Sequence, residues 1–176
     1  VLSPKRLQSR VFELAGLPER TIFDERGKCM VLSALIEEDK EQLTVYRGAA
    51  ENAANGFTER VSNIIASLKR SELTAEEVLM AAEKMGEGNT AAEKLKDIGR
   101  IYAAYEQRMA GELADAEDIS REMCMRFERS GVLKGQHIFV YGFDMITPTF
   151  AAQMLSMAPL CESLTLAVET DVNAAP

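Results

Sequence analysis

Three carboxylates stand together at Asp115, Glu117 and Asp118. Acids this close can hold a divalent cation, or divide the work of general acid and general base. They can equally start a helix. Asp115 would be the N-cap, and Glu117 and Asp118 would occupy the first turn, where the helix dipole favours negative charge. No histidine or further acid accompanies them at ligand spacing, so capping is the reading adopted, with a metal or acid–base site as the alternative. A further acid, Asp144, follows the run Ile138-Phe139-Val140-Tyr141-Gly142-Phe143. It is either a lone chemical carboxylate or the cap of a turn. His137, the single histidine, lies at the start of that run, so no Ser/His/Asp set is assembled. The three cysteines, Cys29, Cys124 and Cys161, are scattered and form no Cys-x-x-Cys pair. A zinc or iron–sulfur site made by this chain alone is not expected. Cys29 and Cys124 fall in apolar helical surroundings and read as buried thiols of a reducing compartment.

Most of the elements that must position these groups are helical. Ser3-Pro4 is a helix start, with Leu7, Val11 and Leu14 on one face, Phe12 beside it and Gly16 as the stop. Asp24 caps a second helix with apolar positions Met30, Leu32, Leu35 and Ile36. Phe57, Val61, Ile64, Ile65 and Leu68 repeat at helical spacing. Thr74 and Glu77 form a capping box. The longest stripe is Leu95, Ile98, Tyr102, Tyr105 and Met109, at alternating spacings of three and four. Ile119, Met123 and Phe127 point inward from the helix that Asp115 starts, which ends near Ser130-Gly131.

The pattern then changes. Ile138 to Tyr141 is short, β-branched and aromatic, and reads as a buried strand ending at Gly142. Thr147-Pro148 starts a helix through Phe150, Met154 and Leu155, and Leu164 to Val168 reads as a second strand. The interval suits a parallel crossover. Two parallel strands make no stable sheet alone, because such sheets are covered on both faces. The rest of the sheet is therefore expected outside this sequence. The start at Val1 rather than Met, and the end just past a strand, agree with a piece of a longer protein. The expected fold is mainly α with a small α/β part: a helical insertion over residues 1–134 and a partial βαβ segment over 135–176.

A net charge of −8 argues against a broad basic face gripping nucleic acid, though not against contact by a few residues at one edge. The 47% hydrophobic content suffices for a core that, without Trp, must lean on Leu, Ile, Val, Met and Ala. The nine Met read as core filling. No segment has the length and apolarity of a membrane span, and no signal peptide is visible.

In open α/β sheets, ligand chemistry lies beyond the carboxyl ends of the strands. In nucleotide-hydrolysing P-loop proteins that position carries adjacent acids, for Mg²⁺ and for the attacking water. Here it carries Tyr141-Gly142, and no Gly-x-x-x-x-Gly-Lys-Ser/Thr loop occurs anywhere in the chain. The segment His137-Ile138-Phe139-Val140-Tyr141-Gly142-Phe143, with Thr147-Pro148 after it, resembles the Walker B region of UvrD-like superfamily 1 helicases. It is more similar still to the degenerate version in the AddB family, B subunits of bacterial AddAB helicase–nucleases. There a Gly-Phe and a Phe-Thr-Pro run replace the acidic pair; this chain has Gly142-Phe143 and Ile146-Thr147-Pro148. Leu2-Ser3 with Arg6-Leu7 resembles the family's helix start, although the family commonly has an aromatic near the position of Pro4. Gly56-Phe57, Lys94-Leu95-x-Asp97-Ile98, Tyr102, Tyr105-Glu106 and Asp115-x-Glu117-Asp118 resemble spaced signatures of its helical insertion. Leu164 to Asp171 resembles the next core strand.

The resemblance implies a non-catalytic, helicase-like segment of a protein that processes DNA double-strand breaks for recombinational repair. It implies an AddA-type helicase subunit and DNA, as single strand and duplex end, as partners, a cytoplasmic location and no membrane. ATP, Mg and an iron–sulfur cluster would belong to the parent complex, with no cofactor held here. It carries DNA contact onto Arg6, Phe143 and Thr147: a guanidinium can pair with phosphate or a base edge, and a phenyl ring can stack on a base. The alternative is a helical protein-interaction module without a nucleic-acid role.

Overall fold

The computed structural model describes residues 1–51, 56–86, 88–143 and 145–168, with only the backbone of residues 50 and 51. Asp144 and Asp171, on which two expectations fell, lie outside the described residues. The chain is mainly helical with a small α/β part, as its sequence pattern implies. Its contacts group it into two compact units, residues 1–18 with 120–176, and residues 19–119. The expected boundary at 134/135 falls inside the first of these.

The 19–119 unit holds a short strand β1 (Thr21–Ile22), then α2 (Glu25–Asp39), α3 (Arg47–Glu51), α4 (Phe57–Arg70), α5 (Ala75–Lys84), α6 (Thr90–Met109) and β2 (Leu113–Ala114). Side-chain caps set where its helices begin. Asp24 accepts from the Gly27 N–H at 2.8 Å. Thr74 accepts from the Glu77 N–H at 3.2 Å, while Glu77 accepts from the Thr74 N–H at 2.8 Å. Each supplies a partner to helix-end N–H groups that have none inside the helix. Leu32, Leu35 and Ile36 of α2, Phe57, Val61 and Ile65 of α4, and Ile98, Ile101, Tyr102, Tyr105 and Met109 of α6 form one buried cluster. Two of the expected stripes hold except for one member each. Met30 and Ile64 face solvent, and in α2 the inward place falls to Lys28. Glycine lets α5 and α6 approach closely: a Cβ on Gly99 would stand 2.8 Å from Leu79 Cδ2.

Two devices close this unit on itself. β1 and β2, which the sequence pattern does not reveal, pair in parallel with Thr21 opposite Leu113 and Ile22 opposite Ala114. Both ends of a long helical excursion are thereby joined. The second device is Asp97. Fully buried in α6, it accepts from the backbone N–H groups of Thr44, Val45 and Tyr46 at 2.8–3.1 Å, pinning the loop before α3.

The other unit holds α1 (Pro4–Ala15), most of α7 (Ala116–Ser130), β3 (His137–Val140), α8 (Pro148–Met157) and β4 (Ser163–Leu166). Ser3 caps α1, accepting from the Arg6 N–H at 3.3 Å. The helix buries Val11, Phe12 and Ala15, leaving Leu14 in solvent. β3 and β4 run parallel, in register from His137 opposite Ser163 to Val140 opposite Leu166, with α8 as the crossover. The strand expected at Ile138–Tyr141 is present, but it is not buried. Ile138, Val140, Leu164 and Leu166 are half-buried, while on the other face Phe139 is 71% and Tyr141 67% exposed.

Candidate functional site

The Asp115–Asp118 acids sit within a buried charge cluster. Asp115 and Asp118 cap α7 reciprocally: the Asp118 N–H donates to Asp115 Oδ1 at 3.0 Å, and the Asp115 N–H donates to Asp118 Oδ2 at 3.2 Å. Capping is thus their local role. Two buried lysines complete the cluster. Lys69 Nζ stands 2.9 Å from Asp115 Oδ2 and 2.7 Å from Asp118 Oδ1. Lys28 Nζ lies 3.6 Å from Asp115 Oδ2 and 3.3 Å from Glu117 Oε2. Arg70 takes the other oxygen of Glu117 at 3.1 Å. The Tyr105 hydroxyl donates to Asp115 Oδ2 at 3.0 Å, and both ammonium groups stand just under 6 Å from the centre of its ring.

Buried charges persist only when paired and hydrogen-bonded, and here they are. Burial alone would push the Asp115 carboxyl up; the Lys69 ammonium, its hydrogen bond and the Asp118 N–H overcome this and hold it at about 2. Burial works against the Lys69 ammonium too, yet Asp115 and Asp118 raise it above its ordinary value. Burial, followed by the Asp115 charge, pushes the Tyr105 hydroxyl far up. At neutral pH Asp115 and Lys69 are therefore a fixed ion pair, and the Tyr105 hydroxyl keeps its proton. A divalent cation there would have to displace two lysines. Among the described residues no group of three or more His, Cys, Asp or Glu stands together as a metal site. The signal that sequence reasoning missed is the pair Lys28 and Lys69: each occupies an inward position of its helix, where a lysine needs a buried acid.

The residues expected to contact DNA all fall in the unit of residues 1–18 and 120–176. Arg6 is exposed on α1 and makes no ion pair among the described residues. Phe143 and Thr147 share the connection from β3 to α8. Gly142, with φ 77°, turns the chain away from the strand, a conformation that costs glycine little. Phe143 is half-buried, its ring 4.5 Å from that of Phe150 and tilted by 38°. Thr147 caps α8, accepting from the Phe150 N–H at 3.2 Å. Its hydroxyl therefore already has a structural task. His137, at the opposite end of β3, is hydrogen-bonded through Nδ1 to Ser163 Oγ at 2.8 Å.

The cysteines are free and half-buried, less enclosed than expected for Cys29 and Cys124. Burial pushes both of those thiols up, away from the thiolate that redox or metal chemistry needs. No helix among the described residues is long and apolar enough to cross a membrane.

Comparison with known proteins gives a consistent result. A family model described as "ADDB, N-terminal" matches residues 1–176. A protein of Alkaliphilus metalliredigens, named as the B subunit of an ATP-dependent helicase/deoxyribonuclease, is 28% identical over 174 residues, covering 99% of this chain and 15% of its own length. Proteins of the same name from Bacillus velezensis and Caldanaerobacter subterraneus are 31% and 34% identical, over 97% and 84% of this chain and 15% and 12% of their own lengths. The chain thus spans about one seventh of the length of these relatives. With a family model matched from its first residue to its last, this chain belongs to the AddB N-terminal family.

Proposed function

We propose that this chain is a non-catalytic, helicase-like segment of the B subunit of an ATP-dependent helicase/deoxyribonuclease. It scaffolds and guides single-stranded DNA during double-strand-break repair and recombination in the cytoplasm, beside an AddA-type subunit that drives unwinding. The observation that carries this reading is the carboxyl end of β3. A parallel strand followed by a crossover helix is present there, as in a nucleotide-binding core, but the chain runs Tyr141-Gly142-Phe143 where hydrolysis needs an acidic pair. An aromatic side chain and a turn suit the flank of a passing strand better than phosphoryl transfer. ATP, Mg and the iron–sulfur cluster are assigned to other parts of the parent complex. The helical unit is assigned as the insertion of the helicase-like core, and the adjacency of its ends through β1 and β2 supports that assignment.

The distribution of charge agrees. Residues 19–119 hold 13 basic and 21 acidic side chains, the other unit seven of each. The whole net charge of −8 therefore lies in the helical unit, and the unit with Arg6, Phe143 and Thr147 is neutral. This also favours a protein-contact role for the helical unit, so the interaction-module reading survives for that part alone. The test has two arms. Residues 1–176 should show no Mg-ATP turnover, and turnover above background would sink the proposal. In the whole subunit, Arg6→Ala and Phe143→Ala should each weaken single-strand binding; unchanged binding in both leaves only the interaction-module reading.

A further inference from the structure

The ladder between β1 and β2 is a weak closure by itself. It is two residues long, and both β1 residues, Thr21 and Ile22, are exposed. Its bonds run from the Thr21 N–H to the Glu112 carbonyl at 2.7 Å, and from the Phe23 N–H to the Ala114 carbonyl at 2.9 Å. Local opening begins at such places, where few apolar contacts cover the backbone bonds. The residue just before β1 is Arg20, whose side chain is only 31% exposed. Arg20 Nη2 donates to the Met109 carbonyl at 3.3 Å and also to the Leu113 carbonyl. Met109 is the last residue of α6, whose final carbonyls have no partner within the helix. Leu113 is the first residue of β2. One guanidinium thus spans both ends of the turn Ala110-Gly111-Glu112, in which Gly111 has a φ of 92°. Its positive charge also suits the carboxyl end of a helix. Asp118 Oδ2 stands 3.8 Å from the same Nη2, and Asp118 in turn holds Lys69.

We propose that Arg20 is the latch of the helical unit. It fastens the entering strand to the end of α6 and the start of β2, and the neck opens as a step separate from the core when these bonds are released. Hydrogen bonds from a charged donor are stronger than neutral ones, so this side chain holds the turn more firmly than the two-residue ladder does. The core has its own closure: the buried cluster of α2, α4 and α6, and the ion set around Lys69, hold without contact from Arg20 except at Asp118. The latch belongs to the helical unit alone and stands apart from the DNA reading above.

The test is amide hydrogen exchange, followed by mass spectrometry, in the whole subunit. In Arg20→Ala, peptides covering the neck, residues 19–24 and 110–115, should exchange faster by about tenfold or more, the factor expected from losing a hydrogen bond to a charged group. Peptides within α4 and the middle of α6 should stay within about twofold of the parent. Arg20→Lys, a point charge that lacks the planar fork, should recover only part of the protection. Unchanged exchange at the neck in Arg20→Ala overturns the inference, because the ladder then holds unaided. An equal rise in neck and core also overturns it, since Arg20 would then support the unit as a whole. Full recovery in Arg20→Lys overturns the bridging of two carbonyls by one guanidinium.

Discussion

Lys69 has no ordinary surface role. It is buried, and it joins Asp115, Asp118 and, at 3.3 Å, Glu106. Removing one partner of such a set strands the others, so Lys69→Ala should lower unfolding stability by about 3–5 kcal/mol in urea titrations. Arg10→Ala, which breaks an exposed pair with Glu13, should cost less than about 1 kcal/mol. The pH dependence has a definite sign. Asp115 is held at about 2 in the fold against an ordinary 3.8, so its contribution is fully present above the ordinary value and is lost as pH falls through about 2. Asp115→Asn should therefore be less stable at neutral pH and show a shallower acid decline than the parent, measured by urea midpoints down to about pH 2. Asp97 is the second residue with a large expected effect. Asp97→Ala leaves three backbone N–H groups without their acceptor and should cost at least about 2 kcal/mol, with Asp97→Asn between the two. Residue roles at this scale are only partly legible in the sequence. The capping role of Asp115 is readable from its place before an apolar helical stripe. Its lysine partners are not, because α2 and α4 are distant in sequence and no local pattern says which of a helix's lysines turns inward.

At the level of elements, local chemistry marks the starts well. Ser3, Asp24, Thr74 and Thr147 are all legible as caps, since a short polar side chain before an apolar periodic run has few other uses. β3, α8 and β4 are legible for a related reason: the change from helical spacing to a β-branched run between glycines is abrupt. β1 and β2 leave no such mark because each is two residues long, too short to show an alternation, and their pairing is decided by the packing of everything between them. Thr147 shows why an element must be considered before a residue is assigned to a ligand. Thr147→Ala should destabilise α8 by about 1 kcal/mol through loss of the cap, whereas Thr147→Ser should stay within a few tenths. If DNA binding by the whole subunit falls in the alanine variant and not in the serine variant, the hydroxyl is the group required, as cap or as contact; a fall in both assigns the contact to the methyl group.

At the scale of the molecule, the fold class is readable, and so is the absence of an acidic pair after Val140; the grouping of contacts into residues 1–18 with 120–176 and residues 19–119 is not. The helical pattern runs on without a break past Ile119, so nothing local marks the place where α7 leaves one unit and continues in the other. Closure is a property of contacts between Thr21–Ile22 and Leu113–Ala114. Residues 19–119, produced alone, should accordingly fold as a helical unit with a cooperative transition by circular dichroism; a non-cooperative melt would show that the clasp does not suffice. The same unit carries its own reporter. The protein has four tyrosines and no tryptophan, and the Tyr105 phenol is bonded to a carboxylate deep in the core. A phenol donating to a carboxylate emits weakly, and one released into water emits more strongly. Unfolding of the helical unit should therefore appear as a rise in tyrosine fluorescence without any attached dye, and the part of that rise absent from Tyr105→Phe would time the opening of the buried charge cluster itself.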